Sequence, residues 1–399
     1  MEDQQLSPAV IIPDNLTALG LVRSLAARGV PCTVAATSAL GPAQYSRYSR
    51  AVACPPAEAG RAFVEGLSAI GRGLATRPVL FVADESTLMA VARHRQELAA
   101  YYRLTIPAAA QLAGLQSKLR LYELAAAAGV PTPETWEING DEVPAGLPYP
   151  LVLKPEHRVI WTGNSCLRSF REEFGAKALL VRDATAAQQV VTRAHALGFA
   201  LLLQRPIAGA VTDLVTAGVF AGHDGTRALF TARKLAQVPH DFGDGSVVEG
   251  VPLPAVEALT WRLVDHAGFV GLADIEFKHD AADGQLRLLD FNPRPWLWIE
   301  LAARCGVNLP YLLYCETIGR NGQPVPSQSP ACVKWGSLRA LLRTLHQAGA
   351  GQRLQALRTW RGATMGGAFA RGDVLWRMLV QPRFWRAALQ AARRPAAEL

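Results

Sequence analysis

The sequence predicts a parallel α/β unit over residues 1–115, an α+β unit over 116–320 and a basic, mainly helical extension over 321–399. Three observations carry this. The chain opens on a β-α-β pattern. Its middle alternates short strands with helices and ends in a hairpin of strictly alternating residues. Its charge changes sign at the last boundary.

Val10-Ile-Ile-Pro-Asp-Asn15 is a buried-strand pattern. Helical spacing then runs from Leu16 to Arg28 and stops at Gly29, and Val30–Ala35 reads as the next strand. This is a Rossmann-like opening, a parallel sheet covered by helices. Pro78–Ala83 supplies another strand, followed by a helix from Glu85 to Tyr101. There is no G-x-G-x-x-G, so a dinucleotide site is not expected here. Asp14, Asn15 and Thr17 stand at the first strand-to-helix turn. They favour an anion at a helix N-terminus or simply cap it, and both readings stay open.

In the second unit a helix over Leu119–Ala128 ends at Gly129 and Pro131, and a strand over Tyr149–Lys154 follows. Glu156–Gly175 is irregular and contains Thr162-Gly-Asn-Ser165. Lys177–Val181 is a strand, Ala184–Leu197 a helix, and Leu201–Gly209 begins with a further strand. Asp213–Phe220 and Arg227–Lys234 form a hairpin around Gly222-His-Asp-Gly225, and Val256–Ala267 is a helix.

The last hairpin carries the chemistry. Ala273-Asp-Ile-Glu-Phe-Lys278 and Leu289-Asp-Phe-Asn-Pro-Arg-Pro295 flank the turn segment Asp280–Gly284. With Lys278 opposite Leu286, side chains Asp274, Glu276, Asp290 and Asn292 share one face. Glu276 and Asp290 are then diagonal neighbours, roughly 7–8 Å apart. Two acids and an amide converging there repel unless a cation lies between them. An oxygen-only set suits Mg²⁺ shared with substrate phosphates. Pro293, Arg294 and Pro295 make the strand exit rigid.

These segments resemble the metal-binding end of the ATP-grasp superfamily. Asp-Phe-Asn-Pro-Arg-Pro-Trp296 is most similar to the branch of carboxylate–amine ligases that includes D-aspartate ligase. Gln116-Ser-Lys-Leu-Arg120 with Ala128-Gly-Val-Pro-Thr-Pro133 resembles the entry to that family's nucleotide domain. Leu151-Val-Leu-Lys-Pro155 resembles its first lysine strand and Leu201–Gly209 its adenine hinge. The resemblance spans roughly residues 8–320 and implies a pre-ATP-grasp domain followed by a two-lobed ATP-grasp domain. The family's glycine-rich flap is replaced here by the irregular Glu156–Gly175.

The activity implied is ATP-dependent amide or peptide bond formation through an acyl phosphate, on small carboxylate and amine substrates. ATP and Mg²⁺ are the implied cofactors, with Mn²⁺ as the alternative ion. Glu276, Asp290 and Asn292 would hold the metal. Lys154 and Lys177, with Lys118, would contact phosphate or the adenine edge. Gln204, Arg205 and Ile207 would line the adenine. Asp213 would accept from the ribose hydroxyls or cap a strand end. Of Arg233 and Lys234, one would reach the triphosphate. Arg294 would grip the carboxylate or the tetrahedral intermediate, or else pair with Asp290 or Glu276. Trp296 and Trp298 are expected to pack the core. The rivals are carboxylation through carboxyphosphate and a nucleotide-binding regulatory protein without turnover.

Half of the 399 residues are hydrophobic and 19% charged, which excludes a disordered chain. Six cysteines at 32, 54, 166, 305, 315 and 332 lack C-x-x-C spacing and read as thiols of a reducing compartment. With no signal-peptide order at the start and no long apolar run, a cytoplasmic protein is expected. Residues 321–399 hold twelve Lys and Arg against Asp373 and Glu398, and Trp360, Trp376, Phe384 and Trp385 are interleaved with the arginines. This extension reads as a separate appendage, either a solvated face or a peripheral membrane contact. No nucleic-acid module is recognisable, and a homodimer is an assembly open to the chain.

Overall fold

The computed structural model describes residues 6–157, 166–239, 241–331, 333–347, 350–366, 373–382 and 384–386. The first unit contains β1 (Ala9–Ile12), α1 (Leu16–Ala26), β2 (Cys32–Ala36), β3 (Ser49–Ala53), α2 (Arg61–Arg72), β4 (Val79–Val82), α3 (Glu85–Arg93), α4 (Arg95–Leu98) and β5 (Arg103–Leu104). Its strands form one parallel sheet in the order β3-β2-β1-β4-β5. Both faces are covered, so the central strands are unbroken apolar runs, Ala-Val-Ile-Ile and Val-Leu-Phe-Val. The helix expected over Glu85–Tyr101 is interrupted at His94, whose φ of −101° leaves the helical region.

The turn after β1 serves the fold. Asn15 Oδ1 accepts from Ala18 N at 3.0 Å and caps α1. Asp14 turns inward to accept from Thr37 N at 3.2 Å and Gln44 Nε2 at 2.8 Å, and burial pushes its carboxyl up from the usual range. Capping and loop anchoring account for both side chains.

After α5 (Ala109–Gln116) and α6 (Lys118–Ala127) comes a small lobe. It comprises β6 (Thr135–Glu137), β7 (Leu151–Pro155), α7 (Cys166–Phe174), β8 (Leu179–Val181), α8 (Ala184–Ala196) and β9 (Leu201–Gln204). Its antiparallel sheet runs β6-β9-β7-β8 over an apolar cluster that includes Phe170. The large lobe holds β10 (Leu214–Ala221), β11 (Arg227–Val238), β12 (Asp244–Gly250), α9 (Pro254–His266), β13 (Gly271–His279) and β14 (Leu286–Asn292). Helices α10 (Ile299–Arg304) and α11 (Leu309–Thr317) then pack against α1 of the first unit.

The C-terminal extension is mainly helical among its described residues, but it is not the separate appendage expected of it. It contains β15 (Val333–Ser337), α12 (Leu338–Gln347), α13 (Ala350–Trp360), β16 (Ala363–Gly366) and α14 (Val374–Leu379). Its two strands complete the large-lobe sheet, ordered β14-β13-β10-β11-β12-β15-β16. The reason is apolar: Trp335 is buried against Trp298, with ring centroids 6.3 Å apart. The described part of the extension therefore grows out of the body.

The two faces of this sheet position the site. One face, with Val215, Ala217, Ile275, Phe277 and Phe291, is sealed in a core shared with α6 and α9. The other is split. Its apolar half packs on Trp296, α10, α11 and α1, and is so close that a Cβ at Gly218 would fall 2.2 Å from the Trp296 ring. Its polar half carries the residues described next.

Candidate active site

The β13–β14 register differs from the expected one, and the difference brings the acids closer. Lys278 lies opposite Arg287, Phe277 opposite Leu288, Glu276 opposite Asp290 and Asp274 opposite Asn292. Leu289 is the extra residue of a β-bulge. Continuing the turn-side register would have put Asp290 on the far face from Glu276, because side chains alternate with a period of two. The bulge restores the shared face and makes the two carboxylates direct neighbours, about 4.5–5.5 Å apart at Cβ. It is held from outside the hairpin. Leu289 O accepts from Tyr122 Oη at 3.1 Å, and Leu288 N donates to Pro131 O at 2.8 Å.

Lysines close on this face from three elements. Lys118, the first residue of α6, places Nζ 3.0 Å from Asp290 Oδ1. Lys234 on β11 places Nζ 2.8 Å from Glu276 Oε2 and lies over the Trp298 ring at 5.6 Å. Burial opposes the Lys234 charge most strongly of any single cause, but the Glu276, Asp274 and Asp244 carboxylates together outweigh it and hold the ammonium above its ordinary value. Lys154, on β7, donates to Gln204 Oε1 at 2.7 Å and to Tyr122 Oη at 3.2 Å. Arg233 neighbours Lys234 on the same strand and so points to the opposite sheet face, beside Glu249. Of that pair, Lys234 is the cation that faces the acids. Lys177 is ion-paired with Asp244 at the start of β12, an acid whose charge also acts on Lys234.

Asp274 is buried beside Glu276 and takes a hydrogen bond from Thr216 Oγ1. Burial, and then the Glu276 charge, push its carboxyl up to about 7. Asn292 is also buried, and its Oδ1 has no partner among the described residues. A buried acceptor left without a donor is costly, and a cation satisfies it. Among the described residues no three His, Cys, Asp or Glu side chains group as a metal site. Glu276, Asp290 and Asn292 are two carboxylates and an amide, a set that leaves places for phosphate oxygens. This donor chemistry fits Mg²⁺.

Arg294 takes neither of the acids expected as its partners. Its Nη2 lies 3.7 Å from Glu85 at the start of α3, and Nη1 donates to Pro295 O at 2.9 Å. Nε is buried with no partner among the described residues. The guanidinium thus stands at the seam between the first unit and the β13–β14 hairpin.

At the hinge, Gln204 is buried and donates to Thr135 Oγ1 at 3.0 Å. The Arg205 side chain turns to Glu134 at 2.7 Å on the exposed edge. Ile207 presents its carbonyl to Lys278 Nζ at 2.8 Å. Asp213 Oδ2 accepts from Ala210 N at 2.7 Å, the capping role left open for it above. A cleft of about 570 Å³ beside this hinge, lined by Tyr122, Thr135, Arg205, Ile207 and Arg287, shares no residue with the acidic face. Thr162-Gly-Asn-Ser165 lies outside the described residues.

Sequence reasoning missed Tyr122, Thr216 and Glu85. Tyr122 was within reach of it: four residues after Lys118, it lies on the same helix face. Thr216 and Glu85 come to the site only through tertiary packing.

No family model matches the chain. It is 20% identical over 313 residues to D-aspartate ligase of Enterococcus faecium (strain Aus0004), covering 74% of this chain and 72% of that protein. Its structure is similar to that of the L-amino acid ligase from Bacillus licheniformis, with a TM-score of 0.60 at 15% identity, over 79% of this chain and 75% of that one. The biotin carboxylase domain of the Hydrogenobacter thermophilus 2-oxoglutarate carboxylase, solved with MgADP and bicarbonate, gives a TM-score of 0.59 at 14% identity, over 82% and 72%. The chain has the ATP-grasp fold. Within this fold the bulged hairpin and α6 bring Glu276, Asp290 and Lys118 together, and Lys154 of β7 reaches Tyr122 of α6. No helix among the described residues is long and apolar enough to cross a membrane.

Proposed function

We propose that this chain is an ATP-dependent carboxylate–amine ligase working through an acyl phosphate. The observation that carries the reading is the facing pair Glu276–Asp290 with the orphaned Asn292 oxygen beside it, ringed by Lys118, Lys154 and Lys234. The γ-phosphoryl group of ATP passes to a carboxylate oxygen, releasing ADP. The amine nitrogen then attacks the acyl carbon, loses a proton, and phosphate leaves with that oxygen. Phosphoryl transfer asks for positioning and charge neutralisation, not a protein nucleophile.

Glu276, Asp290 and Asn292 would hold Mg²⁺, or Mn²⁺ in its place. The ion supplies charge neutralisation at the β- and γ-phosphates. Lys118 and Lys234, held against Asp290 and Glu276, would turn to phosphate oxygens once the acids engage the ion. Lys154, fixed by Gln204 and Tyr122, would meet the phosphates from the small lobe, and the backbone at Gln204–Ile207 would meet the adenine. Arg294, with an Nε that no described residue satisfies, would bind the substrate carboxylate at the seam. Lys177 sits by Asp244 and would reach the nucleotide only on lobe closure.

ADP release measured with pools of small acids and amines tests the reading, with hydroxylamine added to trap the acyl phosphate. Turnover should require an acid and an amine together. Turnover on bicarbonate without an amine would transfer the site to the carboxylase reading, and ATP binding with no turnover to the regulatory one. Within the ligase reading, Lys154→Met loses a charged hydrogen bond worth about 1.5–3 kcal/mol. It should raise the KM for ATP about ten-fold or more, and an unchanged KM would remove Lys154 from the nucleotide.

A further inference from the structure

From Thr317 to Gly372 the sequence contains eight Lys and Arg and no Asp or Glu. An ordinary solvated stretch mixes both signs, and this one does not. Helices α12 and α13 lie within that span and pack on each other. On α12, Leu341 is turned inward while Arg339, Leu342 and Arg343 face out. On α13, Leu354, Leu357 and Arg358 are exposed. Leu342, Leu354 and Leu357 are 56%, 51% and 50% exposed, although a helix pair already packed on a sheet could have carried polar residues there at no loss.

We propose that this face docks on an anionic lipid bilayer. Arginines lay their stems along apolar surface while the guanidinium reaches a charged headgroup, and leucines between them enter the acyl boundary. A nucleic acid would recruit the arginines equally but gains nothing from aliphatic leucines, because its contacts are phosphates and stacked bases. The face lies on elements apart from the nucleotide-binding residues, and the inference stands independently of the ligase reading.

Flotation of the full chain with phosphatidylglycerol–phosphatidylcholine vesicles, against phosphatidylcholine alone, tests it. Binding should favour the anionic vesicles about ten-fold or more and weaken as salt is raised. The combined variant Leu342→Glu, Leu354→Glu, Leu357→Glu should lose that binding with its circular dichroism unchanged. A second variant, Arg339→Gln, Arg343→Gln, Arg358→Gln, keeps every packed group and should lose about as much. Equal binding to neutral and anionic vesicles would overturn the proposal. So would anionic binding that survives the leucine replacements, or leucine-independent binding of equal strength to duplex DNA or polyglutamate, since each means charge adsorption alone.

Discussion

Asn292→Ala should release ADP at least about 100-fold more slowly than the parent chain under saturating acid and amine, with its unfolding midpoint barely moved. The magnitude follows from losing one preorganised electrostatic contact at developing charge, typically 10²–10³ in rate. The stability expectation follows from the local chemistry. Asn292 Oδ1 is buried and unpartnered among the described residues, so truncation removes a group that costs the fold something. Asp290→Asn should slow ADP release as strongly by another route. It keeps the shape but strips Lys118, 10% exposed, of its counter-charge, and should also lower the midpoint. The pair therefore separates the two effects. ADP release at parental rates in either variant would end the metal assignment, whatever happened to stability.

A period of two was enough to set Asp290 and Asn292 on one face of β14 and Asp274 and Glu276 on one face of β13, but not to bring the two sets onto a shared face. Their separation was not legible. It is set by a bulge at Leu289 that depends on Tyr122 and Pro131, residues more than 150 positions away in the chain. The same limit governs the cations. A lysine at a strand end announces itself, but whether it meets Glu276, as Lys234 does, or Asp244, as Lys177 does, is decided by neighbouring strands. Arg233 shows the converse, since alternation alone sets it opposite to Lys234. In the fold, β1 and β4 were legible as unbroken apolar runs. The strands β12 and β15 were hidden because Asp-Gly-Ser-Val-Val-Glu-Gly and Val-Lys-Trp-Gly-Ser carry glycine and charge that mimic loops. Their burial comes from Trp298 and Trp335, contributed by separate segments.

The segment that looked detachable is also pinned to the first unit, and Asp373→Ala should be the most destabilising of the single changes considered. The Asp373 carboxylate accepts from Arg23 Nε, Ser46 Oγ and Arg47 N, each at 2.9 Å, and is 4% exposed. Val374 beside it is fully buried in the core shared with α1 and α10. Removing the acid leaves three donors short of an acceptor. Arg23 keeps a second partner in Glu300 at 3.1 Å, which places the expected loss at the lower end of a broken buried pair, about 3 kcal/mol. That should lower the thermal midpoint by several degrees while the KM for ATP stays put, because no contact here reaches the lysine-ringed face. A double change distinguishes a charge left stranded from simple loss of packing. Arg23→Leu with Asp373→Leu removes both charges, and Glu300 retains Arg304 at 2.9 Å. If stranded charge is the cause, the double variant should be more stable than Asp373→Ala alone. A double variant as unstable as the sum of its singles would show that the strap is held by shape, and that the ion pair is incidental to it.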